Sequence, residues 1–296
     1  MGLDANGCRF LLYARRLGAD FSETLTLGRQ GVHLAPPELE RALAEFGVPA
    51  GAGGAAALIE QRDGYAEGLL RHLGAREVAS MDASSYEGAT LVHDLNLPVP
   101  PMLHERFTAV IDGGTLEHVF DVAAALRSCM AMLRPGGHFL AVAPSNNLMG
   151  HGFYQFSPEL YFRAFSEENG FRLVRLIAFD AATERWYRVR DPLEAGRRVG
   201  VVGRAPTQLL VLARRLRSVP PLLEAPVQAD YRAAWGEPPR RRSAFRAPAD
   251  WLHRRLPRPL RLLAKRALDR LRPLSPRYDP ELFEPIDDPA SEEWAP

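Results

Sequence analysis

Short apolar runs rich in β-branched residues alternate with longer segments of helical spacing along the first 235 residues. This alternation is typical of a parallel sheet covered on both faces, because each crossover between parallel strands needs a helix. We therefore predict an α/β fold with a doubly wound, mostly parallel sheet sandwiched by helices. The predicted strands cover residues 24–27, 77–84, 90–96, 107–114, 136–144, 171–180, 186–190 and 208–215.

Four helices are predicted between these strands, over residues 38–46, 65–75, 116–137 and 157–170. Pro36 and Pro37 suit the start of the first helix, since proline fits the first helical turn. Gly74 suits a left-handed position after the second, and Ser157 suits the N-cap of the fourth. Pro135 and Gly136 are expected to end the third helix.

The composition indicates a globular protein. With 296 residues, 46% hydrophobic and 25% charged, the chain can bury one full core with appendages. No apolar run approaches the roughly 18 residues of a membrane span, and the N-terminus lacks the pattern of a signal peptide, so we expect a cytoplasmic protein. Cys8 and Cys129 are too few and too separated for a zinc site, and the histidines show no metal-binding spacing, so we predict no metal.

Charge divides the C-terminal part of the chain. Residues 240–272 carry 12 basic side chains and two acidic ones, whereas residues 273–296 carry seven acidic side chains and one arginine. We predict a domain over 1–235 and an extension over 236–296, made of a basic amphipathic helix and an acidic tail. Residues 259–272 are interpreted as a docked surface helix, with weak contact to a membrane surface or an acidic partner as the alternative. The body lacks a general basic face, so no nucleic-acid partner is expected.

Three carboxylates follow three consecutive predicted strands. Asp82, Asp94 and Asp112 each come at a carboxyl end, where parallel sheets bind their ligands. Such groups accept hydrogen bonds from ribose hydroxyls and from the adenine amino group. Gly113 and Gly114 leave room for a ligand against the backbone. Each aspartate alone is as well explained by a turn or a helix cap, but their equivalent positions indicate a nucleoside site.

The segment 111–144, with its LEHV and LRPGG pieces, resembles class I S-adenosylmethionine (SAM) dependent methyltransferases from the fourth strand to the fifth. Residues 151–160 and 225–235 are similar to a bacterial subgroup of this superfamily. The resemblance implies SAM as cofactor and Asp82 as the ribose-binding acid. It also implies adenine contacts from Asp94 and Leu95. Residues 112–115, which include Gly113 and Gly114, would line the methionine end of the cofactor.

The glycine-rich loop of the family has only a thin counterpart in this chain, LGRQG, in which Gly28 and Arg29 are the expected cofactor contacts. If this is the first loop, residues 37–70 form a helical insertion that could act as a lid. A second candidate, GAGGAA over 51–56, fits the form of a dinucleotide loop. That loop should follow a strand, and the residues before it indicate a helix. A nicotinamide-dependent oxidoreductase is therefore the lesser alternative.

The loop after the fifth strand of the resemblance is the predicted acceptor pocket. Asn146, His151, Tyr154 and Gln155 could orient a hydroxyl or an amine there, with His151 as general base. A hydrogen-bonded loop histidine explains His151 equally well, and His118 is as readily a helix-capping residue as a catalytic one. The predicted function is methyl transfer from SAM to oxygen or nitrogen of a small molecule, such as a sugar or a secondary metabolite. A noncatalytic partner subunit of the same fold is the alternative.

Overall fold

The computed structural model describes residues 2–60, 64–196, 198–231 and 278–293, together with Pro257 and Leu260. The strands are β1 (Gly2–Leu3), β2 (Glu23–Leu27), β3 (Gly31–Val32), β4 (Glu77–Asp82), β5 (Leu91–Val92), β6 (Phe107–Asp112), β7 (Leu133–Pro144), β8 (Phe171–Asp180), β9 (Arg185–Val189), β10 (Thr207–Arg215) and β11 (Phe283–Ile286). The helices are α1 (Ala5–Arg16), α2 (Pro36–Glu45), α3 (Gly54–Glu60), α4 (Glu67–His72), α5 (Val122–Met132), α6 (Pro158–Ala164) and α7 (Pro192–Ala195). Short 3₁₀ turns cover Pro101–Leu103, Leu116–His118 and Pro289–Ser291.

Nine of these strands form one sheet in the order β5-β4-β2-β6-β7-β10-β8-β9-β11. The first five are parallel, in the strand order 3-2-1-4-5 of a doubly wound sheet. β10 lies antiparallel between β7 and β8, and the remaining pairs are antiparallel too. The predicted α/β fold is confirmed, with a parallel half that carries the predicted aspartates and an antiparallel half beyond it.

The sheet separates two apolar cores. Along β6, Val110 packs into one core, while Ala109 and Ile111 pack into the other, as the alternation of side chains along a strand requires. α5 and α6 cover the first core, and α1 to α4 cover the second. The strand is therefore buried on both faces, which explains its continuous apolar run.

Two predicted helix boundaries are wrong. α5 ends at Met132, and β7 begins at Leu133 and runs through Pro135 and Gly136, which therefore do not end the helix. Its N-cap is Asp121, whose side chain accepts a hydrogen bond from Ala124 N. Helix α6 is shorter than predicted, and the Ser157 side chain makes no capping hydrogen bond.

The predicted insertion over 37–70 contains α2, α3 and α4. Their buried side chains, among them Leu39, Leu43 and Leu69, share a core with α1 on one face of the sheet. These helices are the crossover between β2 and β4. Helix α2 and a turn precede Gly51, and α3 begins at Gly54, so the segment 51–56 does not follow a strand. This arrangement excludes the predicted alternative of a dinucleotide loop there.

The acidic C-terminal tail adds the edge strand β11, which pairs with β9. Beyond it, Glu292 forms ion pairs with Arg175 at 3.2 Å and Arg188 at 2.5 Å, and Tyr13 Oη donates to it at 2.5 Å. Residues 261–277, and with them most of the predicted basic helix over 259–272, lie outside the described residues, and the division at residue 235 stays a prediction. Within the described ranges, every helix is too short or too polar to cross a membrane.

Candidate functional site

The carboxyl ends of the five parallel strands meet at one edge of the sheet. Leu27, at the end of β2, pairs with Met81 on one side and with Asp112 on the other. Asp82 pairs with Val92 of β5. The loops that follow these strands are therefore neighbours, as the sequence predicts for the ligand edge.

One cleft at this edge, with a volume of about 290 Å³, contains the predicted nucleoside residues. Asp82, Asp94 and Leu95 line it together with His118. Leu95 is buried and offers an apolar wall, whereas Asp94 is exposed and Asp82 half-buried. The cleft thus combines a flat apolar contact with two carboxylates.

Each of these two carboxylates uses one oxygen locally. Asp82 Oδ1 accepts a hydrogen bond from Ser84 N at 3.1 Å. Asp94 Oδ1 accepts from both the backbone N and Nδ2 of Asn96, at 2.9 and 2.7 Å, and these bonds lower the pKa of Asp94. The turns fix the orientation of both side chains and leave the second oxygen of each for a ligand.

Asp112, by contrast, is not among the described residues that line this cleft, and its place at the cofactor stays a prediction. Its side chain is completely buried, and Oδ1 accepts from Thr115 N at 2.7 Å and Leu116 N at 3.3 Å. Burial, together with the nearby Glu117 carboxylate, raises the pKa of Asp112 to about 7. The residue shapes the turn after β6, which is the local role that a single aspartate at a strand end most often has.

The thin glycine turn after β2 is also used structurally. Gly28 has a φ of 68° and donates its N–H to Met81 O at 2.6 Å. The Arg29 guanidinium pairs with Glu67 at 2.7 Å and stacks on Tyr65. Neither Gly28 nor Arg29 is among the described residues that line the cleft of Asp82 and Asp94, and their cofactor contacts stay a prediction.

Gln30 is the residue of this turn that reaches the neighbouring strand end. It is 1% exposed, and its Nε2 donates to Leu27 O, which also accepts from Thr115 Oγ1 at 2.7 Å. Gln30 Oε1 is buried without a hydrogen-bond partner, directly against Gly113. A Cβ at that position would lie 2.2 Å from Gln30 Oε1, so any larger residue there requires the glutamine to move.

A second cleft, of about 230 Å³, adjoins the first and shares His118 with it. Gly113 and Gly114, which the resemblance implies at the methionine end of the cofactor, form part of its wall. The side chains that bring polar groups to this wall are Asp4, Glu117, His118, His151 and Gln208. Asp4 comes from the N-terminus, where its Oδ1 caps α1 by accepting from Gly7 N at 2.7 Å.

Glu117 is the most unusual of these residues, because its side chain is 0% exposed and neither carboxylate oxygen has a hydrogen bond. Its Oε1 lies 3.2 Å from His151 Nε2, and the ring centroids of His151 and His118 are 5.5 Å apart. Burial raises the pKa of Glu117 to about 7, and burial followed by the nearby His151 lowers the pKa of His118. A buried carboxylate of this kind is costly unless it meets a proton, a cation or a donor.

Backbone hydrogen bonds hold the loop of His151 against Glu117. Phe153 N and Tyr154 N donate to Glu117 O at 2.7 and 3.3 Å. Gly152 allows this approach with a φ of 81°, since a Cβ there would lie 2.7 Å from Glu117 O. The two loops that carry the histidines are therefore fixed relative to each other.

Tyr154, predicted to be catalytic, forms a further hydrogen bond between these two loops. Its hydroxyl donates to Phe120 O at 2.6 Å, and Tyr154 is not among the described residues that line either cleft. Gln155 likewise closes its own loop, with Oε1 accepting from Leu148 N at 2.8 Å. The structure brings His118 and His151 together in the second cleft, whereas Asn146 and Gln155 line a separate cleft.

The residues present fit the predicted cofactor SAM. The two carboxylates beside a buried leucine suit a ribose and an adenine, and the neighbouring glycines leave space along the backbone. Gln30 Oε1 and the carboxylate oxygens of Glu117, which are buried without hydrogen-bond partners, lie next to those glycines. Sequence reasoning missed both residues, since their burial depends on packing between loops that are distant in the chain.

A family model matches part of this chain. Residues 50–141 match the family model described as a methyltransferase domain. This match begins after β2, so β2 and the glycine turn that follows it lie outside the matched residues. No curated protein matches the chain.

Solved structures resemble the chain at low sequence identity. The C9 mutein of the branched-chain polyamine synthase of Thermus thermophilus, in complex with N4-aminopropylspermidine and 5′-methylthioadenosine, is 17% identical, and the alignment covers 76% of this chain and 58% of that one, with a TM-score of 0.38. The YcgJ protein of Bacillus subtilis is 10% identical over 71% of this chain and 99% of its own, with a TM-score of 0.37. The 1,6-didemethyltoxoflavin-N1-methyltransferase of Burkholderia thailandensis, with S-adenosylhomocysteine bound, is 15% identical over 71% and 79%, with a TM-score of 0.30.

Proposed function

We propose, from the premise that this chain carries a class I methyltransferase domain and uses SAM, that it methylates an oxygen or nitrogen of a small molecule. The acceptor would bind in the cleft between Asp4, Gly114 and His151, where a sugar or a secondary metabolite is the expected class of ligand. The observation that supports this proposal is a pair of clefts that share His118 as a lining residue. One cleft has groups for a nucleoside, and the other has groups for an acceptor.

The donor occupies the first cleft in this proposal. Asp82 accepts hydrogen bonds from the ribose hydroxyls, and Asp94 accepts one from the adenine amino group, with the buried Leu95 against the ring. Because both aspartates are held by turns, little side-chain freedom is lost on binding. The methionine end then extends along Gly113 and Gly114 toward Glu117.

SAM supplies a methyl group on a sulfonium, so an acceptor lone pair bonds to that carbon while the electron pair of the carbon–sulfur bond goes to sulfur. The residues of this chain need only align the acceptor and remove a proton from it. His151 Nε2, at the wall of the acceptor cleft, is the predicted recipient of that proton. The backbone hydrogen bonds from Phe153 N and Tyr154 N to Glu117 O hold the loop of this histidine in place.

Charge narrows the class of acceptor. Two carboxylates, those of Asp4 and Glu117, and no lysine or arginine are found among the described residues that line the acceptor cleft. An anionic acceptor would therefore meet repulsion, whereas a hydroxyl or an amine would not. This supports a neutral or basic metabolite over a carboxylated or phosphorylated one.

The test is a panel of hydroxylated and amino acceptors, with formation of S-adenosylhomocysteine as the assay. For an acceptor that turns over, His151→Ala should lower kcat by at least about 100-fold and leave SAM affinity unchanged, because proton transfer contributes about that factor. His104→Ala, the same change at an exposed histidine outside both clefts, is the matched control. Equal turnover in the two variants would contradict the role of His151, and a preference for anionic acceptors would contradict the assigned class.

A further inference from the structure

Glu117, His118 and His151 offer one ligand atom each within 4.8 Å of one another, a constellation that no sequence spacing reveals because two loops contribute to it. Two imidazoles and one carboxylate with open positions are a common ligand set of zinc and of other divalent transition metals. We propose that these three side chains bind a divalent transition-metal cation, with Zn²⁺ as the representative ion.

The distance between two of the ligand atoms matches this role. Ligands about 2.1 Å from one cation, at angles of roughly 90° to 110°, lie about 3.0 to 3.4 Å apart. Glu117 Oε1 and His151 Nε2 are 3.2 Å apart, although the pair does not have the geometry of a hydrogen bond. His118 is exposed, so its ring can turn toward the other two atoms.

The buried carboxylate supplies an independent reason. Glu117 is 0% exposed, and neither of its carboxylate oxygens has a hydrogen-bond partner among the described residues. A cation held by the two histidines would compensate the buried charge. The neighbouring glycines are consistent with this, since a Cβ at Gly114 would lie 3.2 Å from Glu117 Oε1 and one at Gly152 would lie 2.9 Å from Cγ.

Hydrogen bonds fix the backbones of the two ligand-bearing loops relative to each other. The two backbone N–H groups that donate to Glu117 O, and the bond from Tyr154 Oη to Phe120 O, join the loops that carry the three ligands. Preorganised ligands bind a metal with a smaller entropic cost than mobile ones.

The inference rests on the proposed function in one respect, because the metal would face the acceptor cleft. An acceptor hydroxyl bound to it would lose its proton to solvent more easily, and the oxygen would then attack the methyl carbon. In this state His151 Nε2 is a ligand and cannot also receive the proton. Metal titration therefore decides between the two assignments of His151.

The experiment is calorimetric titration of the tag-free, metal-stripped protein with Zn²⁺, and of the same protein with Co²⁺ by visible absorption. We expect one ion per chain in the wild type and in the matched control His104→Ala. Glu117→Gln and His151→Ala should each weaken binding by at least about 100-fold, since each removes a ligand. Thermal unfolding and SAM titration of each variant verify that it is folded.

Absence of saturable binding, or equal affinity in the wild type and His151→Ala, would overturn the proposal. Failure of the metal site would leave SAM binding at Asp82 intact. Failure of SAM binding with intact Zn²⁺ binding would overturn the proposed function instead, so the two failures are distinguishable.

Discussion

Replacing Gly113 by alanine tests how tightly the methionine end of the site is packed. The new methyl group would lie 2.2 Å from Gln30 Oε1 and 2.8 Å from its Cδ, whereas nonbonded heavy atoms settle at roughly 3.5 Å. The φ of Gly113 is not in the left-handed region, so the effect is steric. Gln30 must therefore move and lose its bond to Leu27 O.

The expected cost is about 1 to 3 kcal/mol of the free energy of unfolding, the range for overpacking a buried position. Since Gly113 also lines the second cleft, the displaced glutamine should weaken SAM binding by about tenfold or more. Urea unfolding measures the first effect, and calorimetric titration measures the second. Gly150→Ala is the matched control, because nothing lies within 4 Å of the Cβ it would add.

A double variant separates this mechanism from a general loss of stability. Gln30→Ala removes the side chain that the new methyl group meets, so it should recover at least half of the stability lost in Gly113→Ala. The packing argument is refuted if Gly113→Ala loses no more free energy of unfolding than Gly150→Ala. It is also refuted if Gln30→Ala, combined with Gly113→Ala, lowers the free energy of unfolding further instead of recovering part of the loss.

Two further predictions concern the sheet. Arg215→Met should lower the free energy of unfolding by about 3 kcal/mol, because the buried guanidinium donates to the carbonyls of Met130, Ala131 and Leu133. A loss in urea unfolding no larger than that of the same change at the exposed Arg217 would contradict this. Burial, followed by the charge of Arg214, lowers the pKa of His138 to about 4. Between pH 6.5 and 4, His138 is therefore protonated in the unfolded chain and neutral in the folded one. Stability should therefore fall by up to about 3 kcal/mol as the pH drops through this window, and a His138→Gln variant with an equal pH dependence would contradict the assignment.

The sequence predicted the parallel half of the fold well, because its strands are buried runs with turn residues at their ends. Residues 107–112 illustrate this, since they are apolar on both faces. Pairing in the antiparallel half was not predictable, because periodicity says nothing about which strand lies beside which. β11 joins the sheet from the far end of the chain.

The candidate site was predicted in part for the same reason. Strand ends gave the positions of Asp82 and Asp94, but only packing shows that Asp112 turns inward. The glycine pattern after β2 predicted a cofactor contact at Gly28. The residue of this turn that lies against Gly113 is Gln30. Glu117 was not among the predicted site residues, since its full burial depends on the loop of His151.

We propose that the edge formed by Asp82 and Asp94 binds SAM. Isothermal titration of the purified protein with SAM and with S-adenosylhomocysteine tests it, with NAD as the control ligand. We expect saturable binding of the first two and none of NAD, with affinity lowered about 10- to 100-fold in Asp82→Ala and unchanged in Asp287→Ala, an exposed carboxylate of the C-terminal segment. Absence of binding by the folded protein would contradict the claim and favour a noncatalytic partner subunit, and unchanged affinity in Asp82→Ala would contradict the assigned site.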